Sequence, residues 1–421
     1  MEIGSYIKLH RIKQEMTQAE LAEGIVSFAY LSKIENGKTE ASPEVISLLC
    51  TRLGIQLDNE KDITIKNKCQ EWYSQLFEVN DKDEIERGYN ELEALMEDTH
   101  SESMVMFEIH KIRYFLILGQ YEAALTQINS LADLSSTFDS LHQFYWYKFK
   151  GNYNSQVGEF NQAMRMYKLA EEKLNHLELA ESEIADLQYT ISVTHSKLRN
   201  TLDSIEYANK ALDVFQRNYN FLRCAQCHIL LGISYRRLMM YEKAIKNYNL
   251  ALHLGKLNNN RQLIQLTNQN LGNLYSTKGE AKQAIQYFGK IVDDDKVILV
   301  ERLAAIACLI REYYNVEQYD KAKGIIEKGL SLMKDLDDIE PFRLLYYMIY
   351  TYHFALGDDH EKFENLVINE FIPYLKKHKD YANLVTYAEL MGQHYERLYR
   401  YKDATKFYKQ ANLAYEQFTN I

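Results

Sequence analysis

A chain of 421 residues exceeds what one ordinary hydrophobic core organises, so several domains or a repeat array are expected. Hydrophobic residues at 46% and charged residues at 26% exclude a disordered chain, and no apolar run of about 18 residues exists to cross a membrane. The net charge of -10, from 59 acids against 49 bases, excludes a broad basic coat of the kind that binds nucleic acid unspecifically.

Only three prolines occur, at Pro43, Pro341 and Pro373, and no long alternating run marks a strand. The expected class is therefore all-α. Met1 to Leu9 reads as amphipathic helix, not as a signal peptide. The five cysteines, Cys50, Cys69, Cys224, Cys227 and Cys308, are odd in number and lack a secretory context, so reduced thiols in a cytoplasm are expected.

Residues 1–60 form the first unit. Their apolar positions, among them Ile7, Leu21, Leu31, Ile34 and Leu49, fall mostly at three- and four-residue spacings, which predicts four or five brief helices. Thr17 followed by Glu20 is a capping box opening a helix at Gln18. Ser27 is the N-cap of the next helix, and Ser42-Pro43 opens another. Two short helices joined by a tight turn, with the small Ala22 permitting close contact, are the helix-turn-helix plan.

This segment resembles the Cro/repressor type of helix-turn-helix through T-Q-x-E-L-A at Thr17 to Ala22 and Y-L-S-K-I-E-N-G at Tyr30 to Gly37. The turn before Ser27 is one residue shorter than is usual there. The resemblance implies a recognition helix at about Ser27 to Glu35, with Leu31 and Ile34 inward. The candidate DNA-binding residues are Gln18, Ser27, Phe28, Ala29, Lys33 and Asn36. Phe28 and Ala29 suit thymine methyl groups, Lys33 a guanine edge or a phosphate, and Gln18 a phosphate at a helix N-terminus. Core packing for Phe28 and a solvated face for Lys33 are the alternatives. Residues 1–60 carry six bases and nine acids, a charge of -3. One such head binds weakly and loses affinity with salt, so a homodimer or higher homo-oligomer reading double-stranded DNA through paired heads is expected.

Residues 61–68, within the polar stretch Asp58 to Lys68, read as a linker. Residues 69–421 then repeat themselves. LGISYRRLMMYEKAIKNYNLAL from Leu231, LGNLYSTKGEAKQAIQYFGKIV from Leu271 and MGQHYERLYRYKDATKFYKQAN from Met391 share one pattern: Gly, then Tyr, then Ala, then Tyr or Phe. Weaker copies centre on Gly151, Ser192, Ile310 and Ile112, a spacing of about 40 residues. Small residues such as Gly232 and Ala244 sit where two antiparallel helices approach, and large ones such as Tyr235 and Tyr248 fill the gap to the next pair. The pattern resembles the tetratricopeptide repeat over roughly 350 residues, with about eight repeats and a ninth candidate at 69–97. The copy near Thr351 matches poorly. The expected fold is thus a helix-turn-helix domain followed by a superhelical tetratricopeptide-like solenoid.

In that resemblance the first helix of each pair lines a concave surface. Counting from each Gly position gives Arg113, Asn152, Tyr189, Gln226, Arg236, Gln269, Asn273 and Arg311 as candidate peptide-binding residues. Asn and Gln amides offer both donor and acceptor to an extended backbone, and arginines pair with carboxylates. A solvated groove with incidental charges is the alternative. Cys224-Ala-Gln-Cys227 spells C-x-x-C, but no second ligand pair stands at zinc spacing, so both cysteines read as small buried hydrophobes. Asp293 to Asp295 reads as a helix-ending turn, not a calcium loop. No Walker loop and no nucleophile elbow occur; no enzyme, metal or cofactor is expected.

Head plus repeats resembles the RNPP regulators of Gram-positive bacteria, most closely their NprR branch. The resemblance implies a cytoplasmic quorum-sensing transcription factor whose short signalling peptide changes its oligomeric state. It also implies an alternative role, in which the peptide-free repeats bind and inhibit a sporulation phosphorelay response regulator.

Overall fold

The computed structural model describes residues 3–54, 59–78, 82–96, 103–175, 177–334, 336–357 and 359–419. They contain helices and turns and no strand among the described residues. The chain divides into two compact units, residues 1–194 and 195–421.

The first unit opens with four short helices, α1 (Ile3–Lys13), α2 (Gln18–Ala22), α3 (Phe28–Glu35) and α4 (Pro43–Arg52). Their starts follow from side-chain caps. Thr17 Oγ1 accepts from the Glu20 amide while the Glu20 carboxylate accepts from the Thr17 amide. Ser27 and Ser42 accept from the amides of Tyr30 and Val45. The far end of α2 is closed by Arg52, whose guanidinium donates to the Leu21 carbonyl at 3.1 Å. A Cβ at Gly4 would lie 1.9 Å from the Ile34 carbonyl oxygen, so only glycine lets α1 approach α3 this closely.

Helix α5 (Asn59–Glu78) follows, so residues 61–68, expected as a linker, lie inside a helix. Ile65, Cys69, Trp72 and Leu76 form its buried stripe, at the three- and four-residue spacing of one helix face. Trp72 is its anchor: the indole N–H donates to the Ile85 carbonyl at 2.9 Å in α6 (Lys82–Met96). Next come α7 (Met104–Leu118), α8 (Tyr121–Leu131), α9 (Ser140–Gln156), α10 (Phe160–Leu174) and α11 (Glu181–Lys197). The head is tied to this stack. Lys13 Nζ lies 2.5 Å from Glu108 on α7, and Lys8 donates to the Asp133 carbonyl at 3.4 Å.

The second unit continues the pairs with α12 (Thr201–Arg217), α13 (Phe221–Arg237), α14 (Tyr241–Leu257), α15 (Arg261–Thr277), α16 (Ala281–Val292), α17 (Leu299–Asn315) and α18 (Tyr319–Met333). It closes with α19 (Arg343–Ala355), α20 (His360–Asn365), α21 (Ile372–Lys377), α22 (Tyr381–Arg397) and α23 (Tyr401–Thr419).

The repeat motif has a direct packing cause. A Cβ at Gly151, Gly232 or Gly272 would lie 2.3, 2.4 or 2.4 Å from the ring of Tyr167, Tyr248 or Phe288 on the second helix of the same pair. The aromatic therefore seats on its own pair's glycine. Tyr248 also meets Leu271 and Leu274 of the following pair, so one ring knits two pairs. Tyr248 thus fills the gap to the next pair, as expected, and also seats on the glycine of its own pair. The poorly matched copy near Thr351 pairs α19 with a second helix that passes through a π-turn at Leu366–Phe371. Pro373, just beyond, has no N–H for the regular ladder, which accounts for the widened turn.

Candidate functional site

The outer face of the head is built by α3. Leu31 and Ile34 are buried, which leaves Phe28, Ala29 and Lys33 exposed, with Phe28 58% accessible. Ser27, at the exposed N-cap, adjoins them. Gln18 and Asn36 are drawn elsewhere. The Gln18 amide donates to Glu35 Oε2 at 2.6 Å, and Asn36 donates to the Ser32 carbonyl at 2.7 Å and accepts from Lys8 at 3.5 Å.

Glu35, fully buried, is the centre of the head. Arg11 grips it with two bonds, Nε to Oε1 at 2.6 Å and Nη2 to Oε2 at 2.9 Å. A bidentate pair fixes orientation as well as distance. The end of α3 is thus locked to α1 and α2, and the Gln18 amide takes part in that lock. Glu35 and Arg11 were not singled out from sequence. The signal was present, because a charged residue between Ile34 and the capping Asn36 falls on the inward side of the helix.

In residues 103–194 Arg113 and Asn152, of the candidate peptide residues, meet the chain's own groups. Arg113 donates to the Leu76 carbonyl at 3.4 Å. Asn152 is buried and accepts from Tyr167 at 2.9 Å, while its amide nitrogen has no hydrogen-bond partner. Tyr189 is partly buried on α11. Lys148 is wholly buried, 2.8 Å from Asp186 and 4.7 Å from the centre of the Phe77 ring. Tyr73 stacks on His110 at 3.9 Å. Burial holds His110 neutral, at a pKa of about 3, and its Nδ1 lies 2.9 Å from the Met106 carbonyl. Helix α5 therefore lays Tyr73, Leu76 and Phe77 against the inner side chains of α7 and α9.

In residues 195–421 three candidates come together. Gln269 Nε2 reaches Cys308 Sγ at 3.5 Å, and Cys308 reaches Asn273 Oδ1 at 4.0 Å. Arg311 donates to Ser276 Oγ at 3.4 Å and lies 3.5 Å from Glu312, to which Ser276 donates at 2.6 Å. Gln269 Oε1 and the Tyr387 hydroxyl are buried there with no hydrogen-bond partner. Gln226 accepts from Arg223 at 3.0 Å, on α13, apart from this group.

Arg236 has a buried Nε without a partner. It stands beside two residues missed from sequence, Arg199 and Arg237. Arg237 follows Arg236 directly, and Arg199 lies in the turn between α11 and α12 of the preceding pair, so neither falls on the first-helix positions that the repeat pattern marks. Cys224 and Cys227 are buried thiols, and burial pushes Cys227 up to about 12. Asp294, in the turn after α16, accepts from the Lys296 amide at 3.1 Å and from Gln265 at 3.0 Å.

Residues 7–59 match the family model for Helix-turn-helix. Over 408 residues, 95% of this chain and 100% of the relative, the sequence is 35% identical to the transcriptional activator NprA of Geobacillus stearothermophilus. The apo form of the quorum sensor NprR from B. thuringiensis superposes with a TM-score of 0.70 at 21% identity, over 85% of this chain and 99% of that one. NprR in complex with its cognate peptide NprX superposes with a TM-score of 0.58 at 22% identity, over 82% and 96%. These two structures share the fold. Among the described residues no helix is long and apolar enough to cross a membrane.

Proposed function

Because this chain belongs to the RNPP family of peptide-sensing regulators, in the group of the transcriptional activator NprA, we propose that it is a quorum-sensing transcriptional regulator acting in the cytoplasm. Residues 1–60 read double-stranded DNA, residues 69–421 bind a short signalling peptide, and protomers associate to pair their heads. It acts by binding and not by catalysis.

One observation carries the peptide-binding reading. Gln269 Oε1 is buried without a hydrogen bond, next to Asn273 and Arg311 on consecutive first helices. An unsatisfied buried acceptor costs about 1–3 kcal/mol, and the N–H of an extended peptide would recover it. On the head, Phe28 and Ala29 would meet thymine methyl groups and Lys33 a guanine edge or a phosphate. A head of charge -3 makes few phosphate contacts, so two must act together. Peptide binding then changes DNA affinity through the oligomeric state, a coupling between two distinct sites.

Affinity selection of a short-peptide library on the full chain, followed by a mobility-shift assay with and without the selected peptide, tests this. Retained peptides that change both DNA affinity and oligomeric state are expected. No retained peptide, or identical DNA binding and assembly with and without one, overturns it.

A further inference from the structure

Arg199, Arg236 and Arg237 converge in the second unit. Arg237, at the last turn of α13, donates to the Ser196 carbonyl at 2.5 Å and to Ser196 Oγ at 3.2 Å, which brings it against the end of α11, just before Arg199. Arg236, its neighbour, has its Nε buried and unpartnered. Among the described residues no carboxylate forms an ion pair with Arg236 or Arg237. The Tyr248 hydroxyl sits beside Arg236, held there because the ring rests on Gly232.

The electrostatics agree with this geometry. Burial, then the charges of Arg199 and Arg236, bring Arg237 down to about 10. Burial and Arg236 lower Arg199 as well. Like charges gathered in a half-buried site destabilise one another unless an anion neutralises them. In a chain with ten more acids than bases, no carboxylate pairs with Arg236 or Arg237 among the described residues.

We propose that Arg199, Arg236 and Arg237 form a carboxylate-binding site for an acidic side chain or the C-terminus of the signalling peptide. The proposal rests on the peptide-binding reading above. Arg236 occupies the position four after Gly232, matching Ser276 four after Gly272 beside the Gln269 group, so a peptide that engages Gln269 runs along the same row of helix faces. A guanidinium meets a carboxylate through two parallel bonds, and such charge-assisted contacts are the strong ones in a half-buried site. A phosphate would meet the same charges, but nothing about this row of side-chain amides favours it over a peptide.

The test uses the full chain and two probes. First, thermal unfolding is followed in succinate and in chloride at equal ionic strength. Succinate is expected to raise the midpoint of the wild type and to leave Arg236→Gln and Arg199→Gln unmoved. Second, affinity selection compares four short-peptide libraries: with and without Asp and Glu, each with a free or an amidated C-terminus. The wild type is expected to prefer one carboxylate source by about tenfold, and that preference identifies side chain or terminus. Arg236→Gln and Arg199→Gln should erase it, and Arg236→Lys should restore part of it. Equal retention of all four libraries overturns the carboxylate site while leaving peptide binding intact. A preference that survives both glutamine variants, or stabilisation by inorganic phosphate with none by succinate, also overturns it. Retention of nothing removes the peptide reading and this site with it.

Discussion

The inner faces of the two units are built from the same repeat and finished differently. In residues 103–194 helix α5 and buried charges meet the inner side chains: Lys148 pairs with Asp186, Arg113 donates to the Leu76 carbonyl, and Tyr73 covers His110, while His110 Nε2, Asn152 Nδ2 and Gln188 Oε1 are buried without hydrogen-bond partners. In residues 195–421 Gln269 Oε1, the Tyr387 hydroxyl and Arg236 Nε are likewise buried without partners, and among the described residues the packing of Tyr73, Leu76 and Phe77 against inner side chains belongs to the first unit. Buried polar groups in a folded protein are normally paired, and the group at Gln269 and Tyr387 is the one we propose a peptide would satisfy. The repeat motif sets the backbone in both places. What differs is the helix α5, whose Tyr73, Leu76 and Phe77 occupy the first face.

The sharpest test of that contrast is Asp186→Ala. It strands the wholly buried Lys148 and should cost about 3–5 kcal/mol in denaturant unfolding. A loss below about 1 kcal/mol would mean that the first face is not held by its own charges.

Gly151→Ala and Gly272→Ala come next, one in each unit. Each sets a Cβ 2.3 or 2.4 Å from an aromatic ring, and each should cost about 1–3 kcal/mol through overpacking. Similar losses would place the difference between the units in their inner faces and not in their helix pairs. A loss in only one would break the comparison.

Glu108→Gln probes the ion pair that ties α7 to the head within the first unit. Burial works to raise the Glu108 carboxyl, but Lys13, Lys111 and the hydrogen bonds from Lys13 and Gln127 outweigh it and hold the group below the usual carboxylate range. A depressed folded value means that the contribution is fully present above the unfolded value and is lost as pH falls through the folded one. Stability should therefore drop on acidification below the ordinary carboxylate range, and Glu108→Gln should flatten that drop. Because Lys13 is 43% exposed, the loss at neutral pH should be only about 1 kcal/mol.

The smallest effect on stability belongs to Gln269→Leu. It removes an acceptor that has no partner, so unfolding should shift by less than about 1 kcal/mol, in either direction. Peptide affinity should fall all the same. A variant that keeps full affinity would take Gln269 out of the site.

Much of this organisation is readable in the residues because it rests on local chemistry. The caps at Thr17, Ser27 and Ser42 are short-range hydrogen bonds, and the Gly-to-aromatic spacing is a steric rule repeated along the chain. Helix α5 was hidden by composition. Its first turns carry many charges, and of Ile63 and Ile65 only Ile65 is buried, so the apolar stripe emerges only with Cys69 and Trp72. The bond from Gln18 to Glu35 is not legible locally because the partner is 17 residues away in sequence. The arginine group was invisible for the same reason: Arg237 reaches Ser196 across 41 residues. Side-chain partners at such separations depend on how the pairs stack, which no single stretch records.

The most direct test of where the ligand sits is hydrogen exchange on the full chain with and without a library-selected peptide. Slowed exchange in α13, α15 and α17, around Arg236, Gln269 and Arg311, is the expected result. Slowed exchange confined to α7 and α9, where the inner face is already filled, would contradict it.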